Sequence, residues 1–387
     1  MKYAHFLAWR FMSQLNMAYE NKYQELEQYL RSSEPDKVQR AKNWSIAIGL
    51  QQVDGLTPSD FLVSQAKENI EGRISTEDVR HRLEEYYQQK DVREKAEADR
   101  TLEADGVSER INALLAQNAF TFSPMELAHI HGYLFKGILP HAGLFRTYNI
   151  TKNQWILDGD TIEYGNAGNL MELLTFDFSE EKKFDYSSHS AQEAICHIAR
   201  FISSVWQIHA FGEGNTRTTA VFLIKYLRSF GFDVNNESFA KHSWFFRNAL
   251  VRSQYENIPN GIHRTFEPLE RFMNFAVFGV PADLRNRTLH IRWNEEQRQS
   301  DVSEDSKRQN DVLETPMSLT AHLSLKEMAV IRMIQENPQI SIAAIATKTG
   351  LSKRTVDRAI ASLKEKAILS RFGAKNNATW IINKSES

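Results

Sequence analysis

At 387 residues the chain is longer than one hydrophobic core usually organises, so two or three domains are expected. With 42% hydrophobic and 25% charged residues it has the composition of an ordinary soluble protein, and no run approaches the ~20 apolar residues of a membrane span. The single cysteine, Cys196, excludes an internal disulfide and reads as a small buried helix residue. The first apolar stretch is broken by Arg10 and has no small-residue cleavage site, so a cytoplasmic location without a membrane partner is expected.

Residues 1–104 read as a helical region. Gly55 and Pro58 break one helix, and Ser75 with Asp78 makes a capping-box start for another that carries Val79, Leu83 and Tyr86 on one face. The charged stretch 91–107 is a helix or a link. Residues 105–285 form a second unit. It opens with a helix around 124–138 and continues with strand-like segments at 145–157 and 160–164, joined by Asp158-Gly159, a hairpin signal. A helix over 190–207 places Ile195, Ile198, Ile202 and Val205 at helical spacing, and another after residue 215 aligns Ala220, Leu223, Ile224 and Leu227 before Gly231 stops it.

Residues 286–320 are polar and lack apolar periodicity, as a linker does. Residues 321–387 form a separate module. From position 320 onward the chain holds eleven Lys/Arg and five Asp/Glu, a balance of +6 that leaves −8 for the rest of a chain whose net charge is −2. A capping box at Ser324 and Glu327 starts one helix. Ser341–Lys348, Gly350 and Ser352–Lys364 then give helix, turn, helix, with Val356, Ala359, Ile360 and Leu363 inward, and two short extended runs flank Asn376-Asn377. This is winged helix-turn-helix spacing. Lys353, Arg354 and Arg358 lie at the start and outer face of its second helix, where contact with DNA is expected; dimerisation or target docking is the other use of such a module.

The chemistry concentrates in His209-Ala210-Phe211-Gly212-Glu213-Gly214-Asn215-Thr216-Arg217, between two apolar helices. Backbone N–H groups at a helix start form an anion site, and Gly214 lets the turn approach a ligand closely. His209 alone, following Ile208, would read as a helix cap; beside Glu213, Gly214, Asn215 and Arg217 it reads as a base with a pKa near working pH. Glu213 offers a hard ligand for a divalent cation held against a phosphate, and Phe211 reads as a core anchor.

That constellation resembles the Fic family motif, His-x-Phe-x-(Asp/Glu)-Gly-Asn-Gly-Arg-x-x-Arg. His209, Phe211, Glu213, Gly214, Asn215 and Arg217 match; Thr216 replaces the second glycine, and Ala220 stands where the final arginine belongs. The segment HGYLFKGILPHAGLFRTYNITK (131–152) resembles the family's approach to its flap hairpin, so the resemblance covers roughly 105–285. It implies a mainly α chain with a Fic-type helical core and a small β-hairpin flap, followed by the winged helix-turn-helix domain. It also implies protein adenylylation: His209 as base, Mg²⁺ on Glu213, ATP phosphates against Gly214, Asn215 and Thr216, Arg217 on the β-phosphate side, and a target-protein hydroxyl as acceptor. Tyr148, Asn149, Ile150, Thr151, Lys152 and Trp155 resemble the flap edge on which such enzymes lay a target segment; packing within a core hairpin is the other reading of Ile150 and Trp155.

Residues 37–87 resemble the small antitoxins that inhibit Fic toxins. The antitoxin motif Ser/Thr-x-x-x-Glu-Gly meets Leu50-Gln51-Gln52-Val53-Asp54-Gly55, which makes Asp54 the inhibitory carboxylate; Ser64-x-x-x-Glu68-Asn69 also fits the letters. In the family the inhibitory glutamate pairs with the arginine that Ala220 replaces. Inhibition here must therefore fill space or use a different cation, and Asp54→Ala is expected to change activity less than about tenfold. Arg247 and Arg252 are the candidate stand-ins for the missing arginine, against an ordinary surface role for each. Two rivals to adenylylation are a different nucleotide donor, and a weakly catalytic body acting as sensor for a DNA-binding regulator. The target and oligomeric state are left open, a homodimer included.

Overall fold

The computed structural model describes residues 25–293, 323–372 and 379–383; most of the expected linker and the tip of the expected wing lie outside them. The architecture is mainly α. In the N-terminal region, α1 (Pro35–Gly49) runs into a 3₁₀ turn at Leu50–Asp54, followed by α2 (Asp60–Ile70), α3 (Thr76–Gln88) and α4 (Lys90–Ala98). Trp44, Ile48, Leu62, Ala66, Ile70, Val79 and Leu83 close a small core. Within it Trp44 Nε1 donates to Asn69 Oδ1 at 2.9 Å. The Ser75–Asp78 capping box forms as expected. Tyr86 stacks on Phe61 at 4.1 Å at the rim of that core.

The central unit comprises α5 (Thr101–Leu115), α6 (Pro124–Phe135), α7 (Leu170–Lys183), α8 (Ala191–Ile208), α9 (Asn215–Ser229), α10 (Ser238–Lys241), α11 (Ser243–Arg252) and α12 (Glu267–Phe278). Helix α5 runs continuously across the 104/105 division drawn from sequence. A Ser190–Glu193 capping box starts α8, and its expected face of Ile195, Ile198, Ile202 and Val205 is buried. Helix α9 is buried along residues 215–227, so it is the central rod of the unit. Gly231, at φ 87°, follows its end as expected. Cys196 is half-buried, because its position on α8 lies beside the exposed Arg200 edge rather than on the apolar stripe.

The flap departs from expectation. Asp158 and Gly159 do turn the chain, both with positive φ (58° and 89°), as a tight hairpin turn requires. Gln154 N–H donates to Asp160 O at 2.8 Å, yet no ladder extends from it among the described residues. Trp155–Leu157 coil into a 3₁₀ turn instead, burying Ile156 and Leu157 and leaving Trp155 half-exposed against His290.

The C-terminal module has α13 (Leu325–Glu336), α14 (Ile342–Thr349), α15 (Lys353–Glu365) and an antiparallel wing, β1 (Leu369–Phe372) with β2 (Thr379–Ile382), in register Leu369 to Ile382. The Ser324–Glu327 box, the turn at Gly350 and the inward face Val356, Ala359, Ile360 and Leu363 match the sequence reading. This module packs against the far end of α9. A Cβ on Gly231 would lie 3.1 Å from Leu351, and Arg332 Nη1 donates to Asp233 O at 2.7 Å. Asp233 also pairs with Lys42 at 2.9 Å and Arg228 at 3.0 Å. Burial pushes the Asp233 carboxyl up, but the two cations overcome this and hold it well below the usual carboxylate range.

Candidate functional site

The segment between α8 and α9 is shaped by side chains that bind its backbone. His209 ends α8 in the left-handed region (φ 51°, ψ 56°), a conformation that persists for a non-glycine residue only where surroundings enforce it. Arg146, itself buried, does so: it donates to the carbonyls of His209 at 2.8 Å and Ile208 at 3.2 Å, to Tyr148 O at 2.6 Å, and to Gly165 O. Two residues on, Asn215 accepts from Phe211 N–H at 3.0 Å and donates to Phe211 O at 2.7 Å, closing the loop on itself. The Phe211 ring stacks on His131 at 3.9 Å, which makes it the core anchor expected. His131 accepts from Gly143 N–H at 2.8 Å, so its Nε2 carries the proton donated to Glu213 O at 3.1 Å.

His209 is 5% exposed, and neither of its ring nitrogens has a hydrogen-bond partner. By backbone it is a helix cap, but its ring caps nothing. Its nearest aromatic neighbour is Tyr164, with ring centroids 4.5 Å apart. Burial, reinforced by Lys152, Arg146 and Arg247, holds the imidazole well below its ordinary pKa and therefore neutral at neutral pH. Gly214 begins α9 at φ 72°, and a Cβ there would meet the Phe135 ring at 2.4 Å, so both conformation and space require glycine. Thr216 is helical and free of the strain a positive φ would impose; its Oγ1 accepts from Trp206 Nε1 at 3.0 Å.

Glu213 is exposed, with Lys152 Nζ 3.7 Å from its carboxylate. Lys152 also reaches Gly212 O at 3.4 Å, which ties the flap to the motif. Asn149 Oδ1 accepts from Ala167 N–H at 2.8 Å. Residues Asn149, Ile150 and Thr151 make no backbone–backbone hydrogen bond among the described residues.

Arg217 is 1% exposed and turned toward the N-terminal region. Its Nη1 donates to Gln51 Oε1 at 3.0 Å, its Nη2 to Glu103 Oε1 at 2.7 Å, and its Nε lies 2.8 Å from Asp54 Oδ2. The face of Phe135 covers it at 4.8 Å. Gly55, at φ 69°, makes the turn that presents Asp54, while Gln51 is aimed by its own bond to Ala47 O at 3.0 Å. Arg217 is thus engaged by protein carboxylates, and it is the different cation that the sequence reading left open for Asp54, so the reason for expecting a minor Asp54 effect disappears. Ala220 is fully buried, as an apolar helix face requires. The alternative Glu68 pairs with Arg73 at 2.7 Å, and Asn69 holds Trp44, so that motif points away.

Lys353, Arg354 and Arg358 are exposed on α15, far along the chain from His209. Arg358 also lines a cleft of about 580 Å³ between α15 and the segment 187–193. Sequence reasoning missed Gln51, Glu103, His131, Arg146, Gln154 and Tyr164.

Residues 121–227 match the Fic/DOC family, and residues 323–366 match the winged helix-turn-helix DNA-binding family. The chain thus carries a Fic/DOC domain and a C-terminal winged helix-turn-helix domain. Among solved structures it is similar to the N-terminal FIC domain of Bep8, a VirB-translocated Bartonella effector protein from Bartonella sp. 1-1C, at 16% identity over 54% of this chain and 90% of that one, with a TM-score of 0.36. It is also similar to a Fic family protein from Desulfovibrio desulfuricans G20, at 12% identity over 96% and 97% of the two chains, with a TM-score of 0.40. No curated protein matches the chain. Among the described residues no helix is long and apolar enough to cross a membrane.

Burial lowers the His131 pKa to about 4 from an ordinary 6.5. The unfolded chain binds that proton near pH 6.5 and the folded chain does not. The stability involved is therefore complete above pH 6.5 and erodes as pH falls toward 4, by on the order of 3 kcal/mol. In urea titrations across this window, His131→Gln is expected to flatten the slope of stability against pH; an unchanged slope would contradict the assignment.

Proposed function

We propose that the His209–Arg217 segment is a nucleotidyl-transfer site that moves AMP from ATP to a Ser, Thr or Tyr hydroxyl of a target protein. The observation that carries this reading is a buried, neutral, unpartnered imidazole beside the glycine-started helix Asn215–Ser229. In the proposed step the target hydroxyl gives its proton to a free nitrogen of His209 as its oxygen bonds to the α-phosphorus, and the bond to the leaving diphosphate breaks. The N–H groups of Asn215 and Thr216 offer the phosphates the anion site of a helix start. The unpaired backbone at 149–151 supports the flap as the edge on which a target segment lies, and Lys152 links that edge to the motif.

Among the described residues no cluster of three or more metal-ligating side chains exists. Glu213 alone, exposed at the turn, suits an ion that takes one carboxylate and completes its shell with phosphate oxygens and water, as Mg²⁺ does. Bound there, Mg²⁺ would neutralise charge on the phosphates. We further propose that Asp54 and Glu103 keep Arg217 from the nucleotide, so that the N-terminal region restrains the site.

His209→Ala is expected to lower the rate of transfer from α-labelled ATP by ~10²–10⁴ while nucleotide binding stays within a few fold. Equal labelling by the variant and the wild type would end this reading. Running the same assay with other nucleoside triphosphates decides whether the donor is ATP, a question raised by Ala220.

A second reading, a weakly catalytic Fic body acting as sensor for a DNA-binding regulator, is favoured by the exposed Lys353, Arg354 and Arg358. Full-length protein is expected to bind a random-sequence duplex with an affinity that falls steeply with salt, and Arg354→Ala/Arg358→Ala should weaken it and reduce the salt slope by about two. Salt-independent binding, or none, in fluorescence anisotropy would exclude that use of the surface.

A further inference from the structure

The cations around His209 differ in what they hold. Arg146 is saturated by four carbonyls, Arg217 by two carboxylates and an amide, and Lys152 by Gly212 O and the Glu213 carboxylate. Arg247, on α11, differs. It donates through Nη2 to Gln154 Oε1 at 2.9 Å and through Nη1 to Asn248 Oδ1 at 3.2 Å, both neutral amides. Two of the five N–H donors of a guanidinium are thus engaged. Among the described residues no carboxylate comes within ion-pair distance of it.

The amides that orient this guanidinium are themselves fixed. Gln154 is 1% exposed and donates its Nε2 to Tyr164 Oη at 3.0 Å and Lys152 O at 3.2 Å, which leaves its oxygen for Arg247. Asn248 donates to Asn286 Oδ1 at 2.8 Å, with the same result. Arg247 therefore stands one side chain from Tyr164, whose ring packs on His209, and its charge acts on His209, Asp54 and Tyr164. Burial pulls its pKa below the ordinary guanidinium value. Arg247 is half-buried and, among the described residues, has no carboxylate within ion-pair distance, so an anion is the ligand that would complete its shell.

We propose that Arg247 is the phosphate-binding cation of this site, held ready by Gln154 and Asn248, and that it supplies from α11 the charge that α9 lacks at Ala220. The nucleotide as ligand rests on the transfer reading above; the anion does not. Because Gln154 belongs to the flap, phosphate binding at Arg247 would also steady the loop that carries the target edge.

The test is calorimetry on the full-length chain, in the wild type and in the Asp54→Ala background, with three probes: ATP with Mg²⁺, adenosine, and inorganic pyrophosphate. Arg247→Gln is expected to weaken ATP and pyrophosphate at least tenfold and to leave adenosine within twofold, with Arg247→Lys recovering part of the loss. Arg247→Gln that binds ATP within twofold of its parent overturns the proposal. If Arg247→Gln melts early, Arg247→Lys carries the comparison, since it keeps the charge but loses the planar fork, and unchanged pyrophosphate binding by both overturns it. Should the parent bind pyrophosphate through Arg247 but no nucleotide, the transfer reading fails and the anion site stands. Should it bind neither, both fall.

Discussion

A guanidinium sealed from water needs its charge answered, and the way Arg217 is answered organises this protein. Its partners come from three places: Gln51 and Asp54 from the turn after α1, Glu103 from α5, and the face of Phe135 from α6. Glu103 is in turn braced by Arg100 at 2.8 Å. Removing one partner from such a buried ionic group typically costs about 3–5 kcal/mol, because the remaining charge is stranded. The N-terminal region is thereby fastened to the first turn of α9, the turn that begins at the motif.

Helix α1 is joined to α9 again at the far end of α9. Lys42 and Asn43, midway along α1, meet Asp233 just beyond α9 and Arg228 in its last turn, and Arg332 of α13 reaches the Asp233 carbonyl. Helix α9 is therefore a buried rod with the His209–Arg217 motif at one end and the winged helix-turn-helix module at the other. Rotation or sliding of α1 along it would have to break charged contacts at both ends. That rigidity also fixes the motif loop, whose remaining freedom is removed by Arg146, His131 and the Asn215 side chain.

Much of this was legible in the sequence because the signals are local. Capping boxes at Ser75 and Ser324 place helix starts within a residue, and the apolar faces of α8 and α15 follow from spacing alone. The residues from His209 to Arg217 stand out because an imidazole, a carboxylate, a glycine turn and a guanidinium fall within ten positions. What stayed hidden depends on distant partners. Glu103 lies 114 positions from Arg217, and Gln51 lies 166 away; neither has a local pattern that marks it. Arg146 and His131 are likewise defined by the carbonyls and amides they serve, and a sequence does not show which backbone groups lack partners. In the flap, Asp158-Gly159 gave the turn correctly, but burial of Ile156 and Leu157 drew the preceding residues into a 3₁₀ coil in place of a ladder.

On the proposed reading, Asp54 and Glu103 withhold Arg217 from the nucleotide. The most direct measurement is the affinity of the full-length protein for ATP with Mg²⁺, by calorimetry, in the wild type and Asp54→Ala, with thermal melts to confirm that both are folded. Freeing one side of Arg217 predicts binding tighter by at least about tenfold, or ~1.4 kcal/mol. Equal or weaker ATP binding by a folded Asp54→Ala protein would contradict it.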